Sequence, residues 1–332
     1  MAGPYIGRMK HTIFLILWLL VPRDSLSVMC WNVENFFDWR NDTTTVSDTE
    51  FSSYGERHWT RKRFQAKANA FAKALFWVEG ETCRLPDVVG LEEVENAFVL
   101  RQLLRKTALR KTDYQYVHYD SPDRRGIDVA LLYRSSVLEL IDSKPCHLYD
   151  ADSVMATRDI LLCVFRRKEP SESPPFAVLV NHHPSKYGGA SESEPKRRIA
   201  VDRLRFLADS LAAEGVDRII AGGDFNDTPD NPVFLRLEPA LKPLHTALSR
   251  RGEGTIKYDG KWDLIDHFYA SPALLASGPS MRILRIPFLL TRDNAHSGDK
   301  PLRTYTGPRP TGGVSDHLPI LLELTLPWTS PP

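Results

Sequence analysis

Apolar residues fall in two rhythms along this chain. In one, short runs rich in β-branched residues break off at polar residues, the mark of buried strands. In the other, apolar positions return every third or fourth residue and make one stripe of a helix. The first rhythm predicts strands at Val28 to Val33 (running on to Phe36-Phe37), Asp87 to Leu91, Tyr114 to Val117, Ile127 to Tyr133, Leu138 to Tyr149 and Ile160 to Arg167. It continues at Phe176 to Val180, Arg218 to Ile220 and Trp262 to Ser271, and in a closing strand that runs into Leu321 to Leu326. The second rhythm predicts a helix capped by Thr60, with Phe64, Ala68, Phe71, Leu75 and Val78 on its stripe. Arg61, Lys62, Arg63 and Lys67 fall off that stripe and are expected in solvent. Further helices are expected at Phe98 to Arg110 and at Glu194 to Glu214, the latter with Ala200, Leu204, Leu207 and Leu211 inward and Gly215 as its stop. Strands and helices mix, with hairpin turns such as Glu169 to Pro175 between them. That order predicts an α+β protein on mixed sheets rather than a wheel of βαβ units.

Length and composition set bounds. The 332 residues, 42% of them hydrophobic, suffice for one large domain or two ordinary ones. A formal net charge of +1 makes no global case for nucleic acid or an anionic membrane, so anion recognition must be local. Lys10 and His11 precede an apolar run from Ile13 to Val21, which Pro22 breaks; Ser25-Leu26-Ser27 then offers small residues where a signal peptidase reads. The run is too short to span a bilayer comfortably. Residues 1–27 are therefore expected to be a signal peptide, starting at Met1 or Met9, with a buried N-terminal helix as the alternative. The mature chain is expected to begin near Val28, in a periplasm or outside the cell. Residues 28–326 would then be the working domain and the Pro-rich residues 327–332 a frayed tail. Cys30, Cys83, Cys146 and Cys163 show no metal spacing, and Cys30 and Cys163 read as core thiols.

Chemistry-bearing residues gather where strands end. After Arg218-Ile219-Ile220, the small residues Ala221-Gly222-Gly223 suggest a tight turn. Asp224 and Asn226 are two apart, so both are expected to face one cleft while Phe225 enters the core. An acid that holds a water or metal beside an amide that donates to a charged oxygen suits a reacting phosphate; the plain alternative is a polar strand-to-turn junction. Asn32 ends the first strand and opens a polar loop, Asp38 to Ser53. Asp87 to Leu91 delivers Glu92 and Glu93; alternation sends Glu93 to the Leu91 side, where a carboxylate at a strand end suits a hard divalent cation. Asp128, an acid within an apolar strand, needs a partner, and Arg125 or a site metal would serve. Arg125 is also suited to clamp phosphate. His182, His183 and Lys186 follow the strand at Phe176 and make a plausible phosphate site, against a reading as neutral surface histidines. Asp266 is an inward acid, and Asp316 and His317 sit side by side before the last strand. Between them the irregular stretch 291–313 is long enough to be functional or disordered.

This order of strand-end residues resembles the endonuclease/exonuclease/phosphatase superfamily, the deoxyribonuclease-like fold, over nearly all of Val28 to Leu326. The motifs are Trp-Asn-Val-Glu-Asn, Leu-Glu-Glu-Val, Gly-Asp-Phe-Asn-Asp and Ser-Asp-His-Leu-Pro. The resemblance implies a four-layer α/β/β/α sandwich, two packed mixed sheets with outer helices and the site at one rim. It implies Mg²⁺ or Mn²⁺ and phosphoester hydrolysis. By matching motif, Glu93, Asn32 and Asp316 belong to the metal and phosphate site. Asp224 positions or deprotonates the attacking water, Asn226 stabilises phosphoryl oxygens, His317 faces the phosphate oriented by Asp266, and His182 stabilises the phosphate or protonates the leaving oxygen. Arg125, Asp128 and Lys186 are candidates to touch substrate. His183 holds a position that is more often bulky and apolar. Which of Asp224 and His317 takes the proton stays open. The segment from Arg125 to Asp128 lacks the tyrosine of the abasic-site branch, and no basic belt with interleaved aromatics tracks a duplex. The leading expectation is an exported nuclease cleaving phosphodiesters, with nucleic acid as its partner. The alternatives are a phosphatase or phosphodiesterase on lipid head groups or small phosphoesters, and a catalytically silent binding module.

Overall fold

A computed structural model describes residues 25–40, 46–170, 172–186 and 189–325. Residues 1–24 of the expected signal peptide, residue 326 and the expected tail, 327–332, lie outside the described residues. Among the described residues no helix is long and apolar enough to cross a membrane.

The strands are β1 (Ser25–Phe36), β2 (Val88–Val94), β3 (Tyr114–His118), β4 (Asp128–Arg134), β5 (Leu138–Cys146), β6 (Ile160–Arg167), β7 (Phe176–His182), β8 (Arg218–Asp224), β9 (Lys242–Pro243), β10 (Asp266–Ala270), β11 (Ser280–Ile283) and β12 (Ile320–Thr325). The main helices are α1 (Arg61–Thr82), α2 (Ala97–Lys106) and α3 (Ala190–Ala213). One six-stranded sheet runs β11-β12-β1-β2-β4-β3 and the other β9-β10-β8-β7-β6-β5. In each the central pair is parallel, β1 with β2 and β7 with β8, and the flanking pairs are antiparallel. Parallel centres within antiparallel flanks are what the mixed order of helices and hairpins demands.

Alternation along each strand builds the four layers. Met29, Trp31 and Val33 of β1 pack with Phe64, Phe71 and Leu75 of α1. Val28 and Cys30 face the other way and meet Val178, Val180 and Phe268 of the second sheet. Leu179, Ile219 and Ala221 then meet Ala200, Leu204 and Leu211 of α3. The α/β/β/α sandwich is thus present, with the predicted stripes of α1 and α3 as its outer contacts. Thr60 caps α1 by accepting from the Arg63 N–H. All four cysteines are free, and Cys30 and Cys163 are core thiols between the sheets.

Three expectations need correction, and the expected cleavage region falls within a strand. The Gly222-Gly223 pair makes no turn: both residues belong to β8. A Cβ on Gly222 would collide with the Phe268 ring and stand 2.9 Å from Cys30 Sγ, and Gly223 has φ +129° with Asn181 O against it. The glycines let the sheets approach under the cleft. Lys67 is not solvated but buried on the α1 face that meets β1. Ser25–Ser27, read as the cleavage region, belong to β1: they pair with Thr325–Glu323, and Ser27 N–H donates to Asp87 Oδ2 at 2.9 Å. A chain starting at Val28 would lose those rungs. The stretch 291–313 is neither disordered nor a bare loop, since it forms hairpins such as Leu290–Arg292 with Asp299–Pro301.

Candidate active site

The register of the second sheet sets one wall of a cleft. Asp224, the last residue of β8, lies opposite His182 of β7 on one side and Asp266 of β10 on the other. Three strand ends therefore present two carboxyls and an imidazole on one rung. Phe225 follows and is fully buried, as its place between two polar residues implied. Asn226 takes a left-handed φ of 52°, and its N–H donates to Asp224 Oδ1 at 2.8 Å. Its amide nitrogen donates to His183 O at 2.9 Å.

The first sheet supplies the opposite wall. Asn32 reaches across to donate from Nδ2 to Asp224 Oδ2 at 3.0 Å, and its Oδ1 accepts the Glu34 N–H at 2.9 Å. Beyond Asn32 the chain bulges, with Glu34 and Asn35 both at positive φ. A second bulge sits at Glu93, φ 64°, where β2 loses register with β4. Alternation alone would have sent Glu93 towards the helix layer with Leu91; the bulge re-aims it, and Glu93 Oε2 accepts the Asn35 N–H at 2.7 Å. The closing loop adds Asp316 and His317. It is pinned by Ser315 Oγ donating to Asn32 O at 2.6 Å and by Trp31 Nε1 donating to His317 O at 3.0 Å.

These contacts set the charges. His317 Nδ1 lies 2.9 Å from Asp266 Oδ2, and its Nε2 lies 3.9 Å from Asp224 Oδ2. Burial alone would strip its proton, but Asp266 and then Asp224 outweigh burial and hold the imidazole protonated well above its usual range. Burial pushes the Asp224 carboxyl up to about 7, aided by Asp266 and opposed by His317. His182, 3.7 Å from Asp224, is driven the other way: burial, with Arg158 and Arg125 nearby, holds it neutral. Of the two roles expected for it, a neutral imidazole suits hydrogen bonding to the phosphate. Glu93 resists its burial because Arg125 and the Asn35 N–H keep its carboxyl below the usual range. Glu92, one residue earlier, is fully buried with both oxygens unpartnered, and burial beside Asp266 and Asp224 keeps it protonated.

Two of the candidates for touching substrate are engaged elsewhere. Asp128 pairs with His118 Nε2 at 3.0 Å and accepts the Ser121 N–H at 2.8 Å, so its protein partner is His118 rather than Arg125. Lys186 Nζ pairs with Asp227 Oδ1 at 2.7 Å. Arg125 does reach the cleft: its Nη2 donates to Asn35 Oδ1 at 2.6 Å and lies 3.5 Å from Glu93 Oε2. His183 is a core residue whose ring packs 4.6 Å from Phe225. Its carbonyl serves the site instead, accepting from Asn226 and from buried Arg158 at 2.7 Å. Sequence reading passed over Arg158, Glu34, Arg303 and Thr255. Thr255 donates its hydroxyl to Asp266 Oδ2 from full burial. Glu34 stood inside a quoted motif, the one signal that pointed to it; nothing in the local pattern marks the other three.

The donor set fits a hard divalent cation. Glu93 and Asp316 offer carboxylate oxygens and Asn32 an amide oxygen, the ligand types such ions take. Among the described residues, two groups of His and Asp side chains bring possible ligand atoms within 4.8 Å of one another: Asp224 with Asp266 and His317, and His118 with Asp120 and Asp128. In both, the imidazole sits between carboxylates on opposite ring nitrogens.

Residues 27–326 match the model of the endonuclease/exonuclease/phosphatase family. The chain belongs to that family. Members of the endonuclease/exonuclease/phosphatase family are metal-dependent phosphoesterases, nucleases and phosphatases among them. Similar solved structures include truncated TDP2 of Caenorhabditis elegans, with TM-score 0.59 and 15% identity over 91% of this chain and 98% of that one. The human Nocturnin catalytic domain, bound to a sulfate anion, gives TM-score 0.57 and 17% identity over 91% and 94%. A mannosyl-6-phosphatase of Bacteroides thetaiotaomicron gives TM-score 0.56 and 16% identity over 91% and 100%. At such identities the likeness is one of fold. No curated protein matches the sequence.

Proposed function

We propose that this protein is a divalent-metal-dependent phosphoester hydrolase that attacks with an activated water. The observation that carries the reading is the buried row His182–Asp224–Asp266 facing His317. It sets a carboxyl raised to about 7 beside an imidazole held protonated. Both shifts run upward: a carboxyl near 7 can still take a proton near neutral pH, while the imidazole stays protonated and can give one. Asp224 takes a proton from water as its oxygen bonds to phosphorus, and His317 Nε2 gives a proton to the ester oxygen as the P–O bond breaks. Thr255 and Asp266 hold the His317 ring in place from behind. Asn226, Asn32 and neutral His182 donate to the phosphoryl oxygens. Glu93, Asp316 and Asn32 would hold Mg²⁺ or Mn²⁺, which when bound offsets charge on the phosphate.

Nucleic-acid phosphodiesters are the substrate class we infer first. One related structure, of Danio rerio TDP2, is complexed with a single-strand DNA product. Small phosphoesters are the second, favoured by the lack of a basic belt and by the mannosyl-6-phosphatase among the neighbours. Purified protein with Mg²⁺ is offered plasmid, RNA, a phospholipid panel and sugar phosphates. Product from the last two alone rejects the nuclease, and no product from any rejects the hydrolase. We infer export from the apolar run Ile13 to Val21, with cleavage at or before Ser25 so that the paired residues of β1 remain. Amino-terminal sequencing of the secreted form tests the cleavage point, which a start at Val28 would refute; finding the protein only inside cells would refute export.

A further inference from the structure

Glu93 and Asp316, the carboxylates expected to hold a cation, each face an arginine from a different loop. Arg125 stands against Glu93, and Arg303 Nη2 lies 3.1 Å from Asp316 Oδ2. Arg303 also meets Glu34 Oε1, with Nη2 at 3.0 Å and Nε at 3.2 Å. Its backbone cannot wander. Leu302 N–H donates to Leu289 O at 2.8 Å, Val314 N–H to Leu302 O at 3.1 Å, and Thr304 N–H to Glu34 Oε2 at 2.7 Å. Below, buried Lys67 donates to Glu34 O and, at 2.9 Å, to Thr304 Oγ1. A rigid strap thus carries a side chain that is half exposed, 50%, at the cleft rim.

We propose that Arg303 is a substrate-binding residue that exchanges anions. It neutralises Asp316 when the cleft holds no cation, and it turns its fork to the phosphoryl oxygens once a divalent cation has taken Asp316. The inference rests on the hydrolase reading above. Its physical basis is that one carboxylate cannot fully satisfy both a guanidinium and a divalent ion. Glu34 Oε2 is already committed to Thr304, so of the carboxylates that Arg303 hydrogen-bonds, a displaced Nη2 keeps Glu34 Oε1. A planar guanidinium matches two phosphate oxygens at once. Arg303 therefore costs cation affinity and contributes substrate affinity, two effects of opposite sign from one side chain. A residue that merely braced the loop would weaken both.

The test measures each effect at equilibrium. Mn²⁺ binding to the whole protein without substrate is followed by electron paramagnetic resonance, in wild type and Arg303→Gln. A half-exposed ion pair is worth about 0.2–1 kcal/mol, so the variant should bind Mn²⁺ up to about fivefold more tightly. Inorganic phosphate binding to the Mg²⁺-loaded protein, measured by calorimetry, should weaken about tenfold in the same variant. Arg303→Lys should keep the wild-type Mn²⁺ affinity within about twofold and still lose phosphate affinity, because it retains charge but not the fork. Unchanged or weaker Mn²⁺ binding in Arg303→Gln overturns the proposal. So does unchanged phosphate affinity in that variant, or a wild type that binds no phosphate. Neither readout needs turnover, so a protein that hydrolyses nothing defeats the hydrolase reading and leaves these affinities to decide on Arg303.

Discussion

The cleft has two walls built on different principles. The half built on the second sheet is dry: His182, Asp224 and Asp266, with His317 brought against them by the closing loop, are all nearly inaccessible, and the His317–Asp266 pair is backed by Thr255. Strand register positions the first three, and the bonds of the loop to Asn32 and Trp31 position His317. The wall from the first sheet is wet and held by charge. Glu93 and Asp316 sit on bulges and loops, each beside an arginine that is about half exposed. Strand register fixes proton-handling groups where small errors in distance are costly. On the proposed reading, loops hold carboxylates whose partners change when a cation arrives, so a rigid half for proton chemistry stands against an adjustable half for binding.

Several changes would break or sharpen that division. The largest effect belongs to the adjustable wall as a whole: chelation should abolish hydrolysis, and Mg²⁺ or Mn²⁺ should restore it. Full turnover in excess chelator would mean the carboxylates serve something else. Next comes the dry wall. His317→Ala and Asp224→Asn should each lower kcat/KM by about 10²–10³ with the circular dichroism spectrum unchanged. Near-wild-type turnover in either would break the assignment of proton chemistry to this wall.

Lys67 lies under the adjustable wall and tests whether that wall has a rigid floor. It is buried, its ammonium pKa is lowered to about 8 by burial, and its donors go to Glu34 O and Thr304 Oγ1. Lys67→Met should cost about 1–3 kcal/mol in urea unfolding, because it leaves those acceptors unpaired. No loss would mean that the bulge holds itself. The dry wall has its own stability signature. Asp224 has a folded-state pKa of about 7 against a usual 3.8, so the folded protein retains a proton that the unfolded chain releases. Its contribution is greatest below pH 3.8 and is lost as pH rises to about 7. In metal-free protein, wild type should therefore lose stability relative to Asp224→Asn as pH rises towards about 7. Parallel stability curves would show that Asp224 is not raised.

The dry wall was the more legible half. Asp224, Asp266, His182 and His317 stand where apolar runs stop, and β-strand alternation with buried runs is what sequence displays best. Phe225 between Asp224 and Asn226 even announced which side faced in. The wet wall was harder because its geometry comes from exceptions. Glu93 reaches the cleft through a bulge that reverses the alternation read from Leu91, and bulges leave no periodic trace. Lys67 looked like a solvated charge because helix periodicity cannot show that β1 bulges above it and offers Glu34 O to an ammonium. Arg303 lay in a stretch with no rhythm at all, and its partners are distant in the chain. The glycines before Asp224 carried the right weight for the wrong reason, since close sheet packing and tight turning demand the same residue.

The smallest expected effect concerns a residue that the motif suggested and the geometry does not favour. Lys186 sits three residues past His183 and is a candidate phosphate contact by sequence. Its ammonium is 2.7 Å from Asp227 Oδ1, and its side chain is 44% exposed. Asp227 keeps other partners without it, Arg197 at 3.0 Å and Asn231 at 2.7 Å, so its carboxylate would not be stranded. An exposed pair of this kind contributes at most about 1 kcal/mol, and none of that lies on the cleft walls. Lys186→Ala should therefore change kcat/KM less than about threefold, within what such a pair allows, while Arg125→Ala raises KM. A loss in Lys186→Ala as large as that in His317→Ala would move the substrate onto Lys186 and make the wet wall extend along the loop after β7.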